Sequence, residues 1–263
     1  MAIAANQFDL LYQPVIELST RRIGKAQALV WWRHPELGDL GPDRFMALAE
    51  CSGWIGPVGE WILHRALRDL RSLQADHPDF ELSVNVSPMQ IQSGKFSQAA
   101  IGQALQAHGV AASSLIIEIT ESIALQGNDA HRKRVAGMRA AGVRLAIDDF
   151  GMGNSALTSL LYFPCDFIKL NRQFVSAAPT APTRRAIARL IVDMAHGLDM
   201  QVIGEGVKTQ DDLARAELLG CDHAQGDYWG RPLTLEALRS ALNGGGRAPT
   251  SSAGASPLPG PAA

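Results

Sequence analysis

A short apolar run that ends in two adjacent carboxylates is the most chemically suggestive stretch of this sequence. Residues 143–151 read Val-Arg-Leu-Ala-Ile-Asp-Asp-Phe-Gly, so a β-type run delivers Asp148 and Asp149 to its own C-terminal end. Neighbouring aspartates repel each other unless a cation lies between them, and hard divalent cations take charged oxygen ligands. The pair therefore predicts half of a metal site. A turn in which the aspartates cap the next helix is the alternative.

Polar side chains also end the other β-type runs from residue 80 onward. These strand ends carry Asn85, Glu118, Asp148 with Asp149, Lys169, Glu205 and Gln225. An oxygen-rich cluster without His or Cys favours Mg²⁺ or Mn²⁺ over zinc. Carboxylates around two such ions, with a lysine nearby, are the ingredients of two-metal phosphodiester hydrolysis. In that reaction one metal activates a water, and the other metal and the lysine stabilise the phosphoryl charge.

The elements that must position these residues alternate along the chain. Hydrophobic periodicity predicts strands over residues 8–18, 26–32, 80–86, 115–120, 143–148, 166–170, 200–205 and 222–225. It predicts helices over residues 42–49, 56–73, 96–108, 129–141, 155–161, 182–198, 210–219 and 235–242, with a loop over 33–41. Alternating strands and helices indicate a parallel sheet, most simply a closed (βα)₈ barrel of the TIM type. An open doubly wound sheet is the alternative, although no glycine fingerprint follows the first strand.

Composition narrows the class of protein. The 263 residues have 46% hydrophobic content and a formal net charge of −2, which gives no electrostatic argument for a nucleic acid polymer or an acidic membrane. Cys51, Cys165 and Cys221 have no paired spacing, so we expect reduced thiols in the cytoplasm.

No apolar run is long enough to span a bilayer, and residues 1–7 are too short for a signal peptide. Residues 243–263 are rich in Gly, Pro, Ser and Ala, so we expect a disordered tail after a domain over 1–242.

The order of the motifs resembles the EAL-domain family of cyclic di-GMP phosphodiesterases over residues 8–242. The motifs that carry the resemblance are Tyr12-Gln13-Pro14, Arg33-His34-Pro35-Glu36-Leu37-Gly38, Ser83-Val84-Asn85-Val86-Ser87-Pro88, Glu118-Ile119-Thr120-Glu121-Ser122, Asp148-Asp149-Phe150-Gly151, Asp166-Phe167-Ile168-Lys169, Gly204-Glu205-Gly206-Val207 and Gln225-Gly226. The resemblance implies a barrel of the EAL type whose first strand is antiparallel. It also implies cyclic di-GMP as ligand and Mg²⁺ or Mn²⁺ as cofactor.

The resemblance also implies roles for individual residues. Four side chains correspond to metal ligands of the family: Asn85, Glu118, Asp148 and Asp149. Two others correspond to the residues around the attacking water and the second metal: Lys169 and Glu205. Glu121 corresponds to the glutamate that holds the loop after the aspartate pair. The residues expected to line the ligand pocket are Gln13, Leu29, Trp31, Pro88 and Gln225.

The sequence departs from the family at positions that matter for catalysis. The motif that names the family reads Gln27-Ala28-Leu29, so an amide replaces a carboxylate that ligates metal in the family. Trp31 stands where the family has an arginine that contacts the dinucleotide phosphate, and it could fill the phosphate space or serve as a core aromatic. Further departures are Met89, Met152, Asn154, Asn171 and Asp227. Loss of a charged ligand should weaken the binding of a hard cation at least about ten- to a hundred-fold.

Three functional hypotheses follow from this pattern. The first is a catalytically silent module that senses cyclic di-GMP and passes its state to a protein partner. The second is a metal-dependent phosphodiesterase, active or weakened, that produces linear pGpG. The third is an interaction module that binds neither metal nor nucleotide. The family also leads us to expect a homodimer formed through the aspartate loop, where Met152 and Asn154 depart from the pattern.

Overall fold

The protein forms a closed barrel of eight strands, and a short ninth strand pairs with the end of the second strand. The structure is a computed structural model that describes residues 2–3, 5–94, 96–121, 129–152, 163, 165–176 and 182–246. Its strands are β1 (Phe8–Glu17), β2 (Arg22–His34), β3 (Gly38–Leu40), β4 (Glu81–Asn85), β5 (Leu115–Thr120), β6 (Arg144–Phe150), β7 (Phe167–Leu170), β8 (Gln201–Gly204) and β9 (His223–Gln225). The predicted helix 155–161 and the tail from residue 247 lie outside the described residues.

Strand pairing confirms the barrel and the antiparallel first strand. The sheet order is β1-β9-β8-β7-β6-β5-β4-β2, and pairing of β1 with β2 closes it. β1 is antiparallel to both neighbours, whereas the pairs from β2 through β4 to β9 are parallel. Closure rules out the open doubly wound sheet. The carboxyl ends of seven parallel strands therefore lie at one end of the barrel, where the predicted site residues converge.

Helices cover the outside of the barrel. They are α1 (Pro42–Cys51), α2 (Ile55–Leu73), α3 (Pro88–Gln92), α4 (Gln98–His108), α5 (Asp129–Ala140), α6 (Arg172–Val175), α7 (Pro182–Gly197), α8 (Gln210–Leu219) and α9 (Leu235–Asn243). In α2 the apolar residues recur at helical spacing, and Ile62, Leu63 and Leu70 are buried against the strands. Within the described part of the chain, no helix is long and apolar enough to cross a membrane.

A polar and aromatic cluster fills the end of the barrel opposite the predicted site. Phe167 begins β7, and its ring lies between two cations, with Lys25 Nζ 5.1 Å and Arg144 Cζ 5.0 Å from the ring centroid. Glu81 forms ion pairs with both cations, with Oε2 at 3.1 Å from Lys25 Nζ. This end is therefore filled by cations that are paired with a carboxylate and an aromatic ring.

The structure differs from the predicted elements in three places. The loop predicted over 33–41 contains β3, because β2 continues to His34 and its Trp32 pairs with Leu40, which is buried. The short helices α3 and α6 were not predicted, since four or five residues are too few to show helical periodicity. A side chain caps each of them at its start: Ser87 Oγ accepts from Gln90 N, and Asn171 Oδ1 accepts from Gln173 N.

Gly59 should be intolerant of a side chain because α3 packs against it. A Cβ at residue 59 would lie 1.5 Å from Gln90 Nε2, and the Gln90 amide caps α3 through Ser87 N at 2.8 Å. We expect Gly59→Ala to lower the free energy of unfolding by about 1–2 kcal/mol through loss of this cap and overpacking. Gly102→Ala is the matched control, because nothing lies within 4 Å of an added Cβ in α4.

The Gly102→Ala control should raise the free energy of unfolding by about 0.5–1 kcal/mol, because alanine has a higher helix propensity than glycine. Urea unfolding measures both variants. Equal effects of the two substitutions would contradict this packing.

Candidate active site

The predicted site residues meet at the carboxyl ends of the barrel strands. Strand register places Asn85 opposite Glu118 and Thr120 opposite Asp148, so neighbouring strands end at the same level. The side chains differ in burial. Gln27, Glu118, Lys169 and Gln225 are buried, Asp148 and Glu205 are half-buried, and Asn85 and Asp149 are exposed. The mouth of the site is therefore acidic and open, and its floor is closed.

Lys169 lies at the centre of the floor and joins three carboxylates. Its Nζ is 2.7 Å from Glu118 Oε2, 2.8 Å from Glu205 Oε1 and 3.2 Å from Asp148 Oδ1. The side chain is 1% exposed, so these carboxylates replace water around the ammonium. Burial alone would lower the pKa of Lys169, but the charges of Glu118, Glu205 and Asp148 raise it well above its usual value. The lysine is therefore a fixed positive charge.

Gln27 turns its amide nitrogen towards the acids. Nε2 of Gln27 donates to Glu118 Oε2 at 2.6 Å, and Oε1 of Gln27 accepts from Gln225 Nε2 at 2.6 Å. Gln225 Nε2 also lies 3.1 Å from Gln13 Oε1. The three glutamines thus form a chain of amides that ends on Glu118. Gln27 presents a hydrogen-bond donor to the site, where a carboxylate would present an acceptor.

A second amide binds the exposed aspartate. Asp149 has a φ of +55°, a backbone conformation in the left-handed region that aspartate adopts more readily than most residues. Asn171 Nδ2 donates to Asp149 Oδ1 at 2.8 Å. We predicted Asn171 as a departure from the family but gave it no place in the site. The signal was its position immediately after β7, two residues beyond Lys169.

Glu121 contacts the backbone that follows the aspartate pair. Its Oε2 accepts from Gly151 N at 2.9 Å and from Met152 N at 3.1 Å. Gly151 has a φ of +94°, and an added Cβ would lie 2.6 Å from the Phe174 ring. Glu121 and a glycine therefore fix the first two residues of the loop. The rest of the predicted contact, to residue 155, lies outside the described residues.

A cavity of about 460 Å³ opens beside the acids on the side of α1 and α3. Predicted residues on its wall include Gln27, Leu29, Asn85, Pro88, Glu118 and Asp148. Trp31 is not on this wall within the described part of the chain. A Cβ added at Gly41 would lie 3.4 Å from Trp31 Cη2, so the indole packs over the start of α1. Trp31 is half-buried and does not belong to the described hydrophobic core cluster, so this position supports neither a role on the cavity wall nor the core-aromatic alternative.

Comparison with known proteins identifies this architecture. The EAL domain matches residues 1–232. The chain belongs to the EAL-domain family. Among its relatives, the cyclic di-GMP phosphodiesterase NbdA of Pseudomonas aeruginosa is 38% identical over 242 residues, which are 92% of this chain and 31% of NbdA. The chain thus spans about a third of the length of the curated relative.

Solved EAL structures share the fold closely. The EAL enzyme Bd1971 with cAMP and cyclic di-GMP bound is 30% identical, with a TM-score of 0.86 over 92% of this chain and 66% of that chain. The PaMucR phosphodiesterase in complex with c-di-GMP is 34% identical, with a TM-score of 0.84 over 90% of this chain and 96% of that chain. Homologues of this EAL domain therefore include phosphodiesterases and proteins that bind cyclic di-GMP.

The donor set of this EAL domain fits one hard cation. Carboxylate oxygens of Asp148, Asp149 and Glu205 lie within 4.8 Å of one another, and charged oxygens are the ligands that Mg²⁺ and Mn²⁺ prefer. These three residues would hold an ion, which would polarise a phosphoryl oxygen and lower the pKa of a bound water. Glu118 is outside this group, and Gln27 and Lys169 both contact its Oε2.

Burial perturbs the acids that contact Lys169. Burial raises the pKa of Glu118 above its usual value, and the charge of Asp148 adds to the rise against the attraction of Lys169. Burial raises the pKa of Glu205 to about 8, with Asp148 and Glu118 adding to the rise and Lys169 opposing it. A cation that binds the Glu205 carboxylate therefore competes with a proton for it.

Binding of Mn²⁺ should consequently depend on pH. A cation needs the Glu205 carboxylate, so its binding below about pH 8 releases a proton, and affinity should rise by up to about tenfold per pH unit between pH 6 and pH 8. Mn²⁺ titrations followed by electron paramagnetic resonance at several pH values measure this slope. Glu205→Gln removes the titrating group and should flatten it. An unchanged slope in that variant would contradict the assignment to Glu205.

Proposed function

We propose that this chain is a cyclic di-GMP-binding regulatory module whose phosphodiesterase activity is lost or strongly weakened. It would pass its ligand state to a protein partner in the cytoplasm. The observation that carries the proposal is the hydrogen bond from Gln27 Nε2 to Glu118 Oε2 at 2.6 Å. This bond places an amide donor at the position where the resemblance implies a ligand to the metal.

A cation could take the Oε1 oxygen of Gln27 as a ligand only after the side-chain amide rotates. Rotation would break the bond to Glu118 and the bond from Gln225 Nε2 to Gln27 Oε1, and each such bond in a buried site contributes about 0.5–1.5 kcal/mol. The cation would then gain a neutral oxygen instead of a carboxylate. Both effects weaken metal binding on the Glu118 side of the site. They leave Asp148, Asp149 and Glu205 available for one ion.

Ligand binding has fewer requirements than hydrolysis. The wall of the 460 Å³ cavity offers apolar contact at Leu29 and Pro88 and polar groups at Asn85 and Asp148. Such a concave site can hold a guanine base by shape and hydrogen bonds without a metal. Lys169 stays charged, and Gln27 and Asn171 supply further donors to the acids. These donors reduce the repulsion that the acidic floor would exert on a phosphate.

The metal-dependent phosphodiesterase remains the second candidate, because one observation favours it. Asp148, Asp149 and Glu205 keep carboxylate oxygens within 4.8 Å of one another. In this alternative, Glu205 and Asp148 orient the attacking water, and the Lys169 ammonium stabilises negative charge on the phosphoryl group. The water oxygen bonds to phosphorus, the bond to the leaving 3′-oxygen breaks, and that oxygen takes a proton as linear pGpG is released. The two candidate functions predict different rates of cyclic di-GMP hydrolysis. Mutation of Gln27 tests this difference directly.

Restoring a carboxylate and a guanidinium should restore hydrolysis. We expect Gln27→Glu combined with Trp31→Arg to convert cyclic di-GMP to linear pGpG with Mn²⁺ at least about tenfold faster than the wild-type chain. The physical reason is a charged ligand for the cation and a fork for the phosphate. Chromatography of overnight reactions measures both rates.

Gln106→Glu combined with Trp54→Arg is the matched control, since Gln106 is exposed on α4 and Trp54 is 42% exposed. The control should behave as the wild-type chain. If the wild-type chain hydrolyses cyclic di-GMP as fast as the variant at positions 27 and 31, the phosphodiesterase alternative replaces the proposal.

Cyclic di-GMP should bind without a metal. We expect calorimetry to give the same affinity in chelator as in Mg²⁺ or Ca²⁺, because Lys169 and the two amides already compensate the acids. Leu29→Trp fills the cavity and should abolish the heat of binding, whereas Leu218→Trp, at an exposed position on α8, should not. No heat at high micromolar concentration, with or without Mg²⁺, would instead favour a module that binds neither nucleotide nor metal.

A further inference from the structure

A second polar cavity lies on the outside of the barrel, away from the carboxyl ends that hold the acids. It measures about 480 Å³ and lies between β1, the end of β2, α2 and α4. Its wall carries an unusual density of basic and aromatic side chains: Arg33, Trp61, His64, Arg65, Arg68 and His108. We call it the basic pocket. None of these residues took part in the site described above.

The ion pairs of the basic pocket leave one positive charge in excess. Asp9 contacts Arg33 Nη2 at 2.8 Å and Arg65 Nη2 at 3.2 Å. Asp69 contacts Arg65 Nε at 2.7 Å and Arg68 Nε at 3.3 Å. Three guanidinium groups thus share two carboxylates. This surplus stands out on a chain whose formal net charge is −2.

Arg68 carries the part of that charge that a ligand can reach. Its side chain is 63% exposed, and its ion pair with Asp69 uses Nε, so both Nη groups have no partner among the described residues. Arg33 Nε is also buried without a hydrogen-bond partner among the described residues. Guanidinium donors that face a cavity bind oxyanions through paired hydrogen bonds.

Two histidines add donors at the edge of the same pocket. His64 Nδ1 and His108 Nε2 are 3.1 Å apart, which fits a hydrogen bond between two imidazoles. Two nitrogen ligands of one zinc ion would lie about 3.3 Å apart, so distance alone also allows a transition metal. The arginines decide against a metal, because a cation would be repelled by the surplus charge beside it. Burial lowers the pKa of His108, and the neighbouring His64 and Arg68 lower it further.

We propose that the basic pocket binds a phosphate group, with Arg68, His64 and His108 donating to its oxygens. The ligand class is a phosphate-bearing small molecule, either free polyphosphate or a nucleotide whose base lies on the Trp61 ring. Trp61 is half-buried on the pocket wall and packs against Phe8 with ring centroids 5.8 Å apart, so its ring is held in place. This proposal goes beyond cyclic di-GMP binding and uses no residue of the acidic site.

Calorimetry with pyrophosphate tests the proposal on the full chain. We expect saturable binding at matched ionic strength, and Arg68→Gln should weaken it by at least about tenfold, since a charge-assisted hydrogen bond is lost. Arg71→Gln is the matched control, because Arg71 is exposed on the same helix and is not on the described pocket wall. His108→Gln is the second variant and should weaken binding without lowering the melting temperature of the unliganded chain.

Parallel titrations with GMP and guanosine separate the two sources of phosphate. A further titration with inorganic phosphate gives the comparison. Tighter binding of GMP than of inorganic phosphate supports a nucleotide as the ligand, and equal binding supports a free oxyanion. Absence of binding, equal binding by the Arg68→Gln and Arg71→Gln variants, or guanosine binding as tight as GMP would overturn the proposal.

Discussion

The charge of one buried lysine governs the whole active end of the barrel. Lys169 is 1% exposed and joins Glu118, Asp148 and Glu205 from three different strands or strand ends. Burying these three acids without a counter-charge would cost several kcal/mol per ion, so the strand ends could not converge without this ammonium or a metal. The lysine is in turn held charged by the acids. The floor of the site and the closure of the barrel around it are therefore mutually dependent.

The amides of Gln27 and Asn171 extend this compensation. Each donates to one acid, Gln27 to Glu118 and Asn171 to Asp149, at 2.6 and 2.8 Å. The resemblance implies carboxylates at both positions, which would add two negative charges and increase the demand for cations. With amides, the site balances much of its own charge. This internal charge balance is the physical basis for the regulatory function that we propose.

Sequence patterns predicted the strands and most of the helices because burial imposes a regular period on them. The alternation of strand and helix from Phe80 onward predicted the barrel, and the apolar face of α2 was read correctly. Sequence patterns did not predict the short elements whose few residues depend on contacts with distant parts of the chain. β3 exists because Leu40 packs beneath Trp32, and α3 begins at a cap supplied by Ser87 and Gln90. Neither feature extends over enough residues to show a period.

The sequence by itself determined the family, the barrel and the set of polar strand ends, because these follow from the order and type of residues along the chain. Only the tertiary structure decided how those residues interact. It directed the Gln27 amide nitrogen towards Glu118, placed the Trp31 ring beside Gly41 at the start of α1, and brought Asn171 to Asp149. It also gathered Arg68 and His108 from separate helices into one pocket. Side-chain direction and encounters between distant residues depend on how elements pack in three dimensions, and no local pattern encodes them.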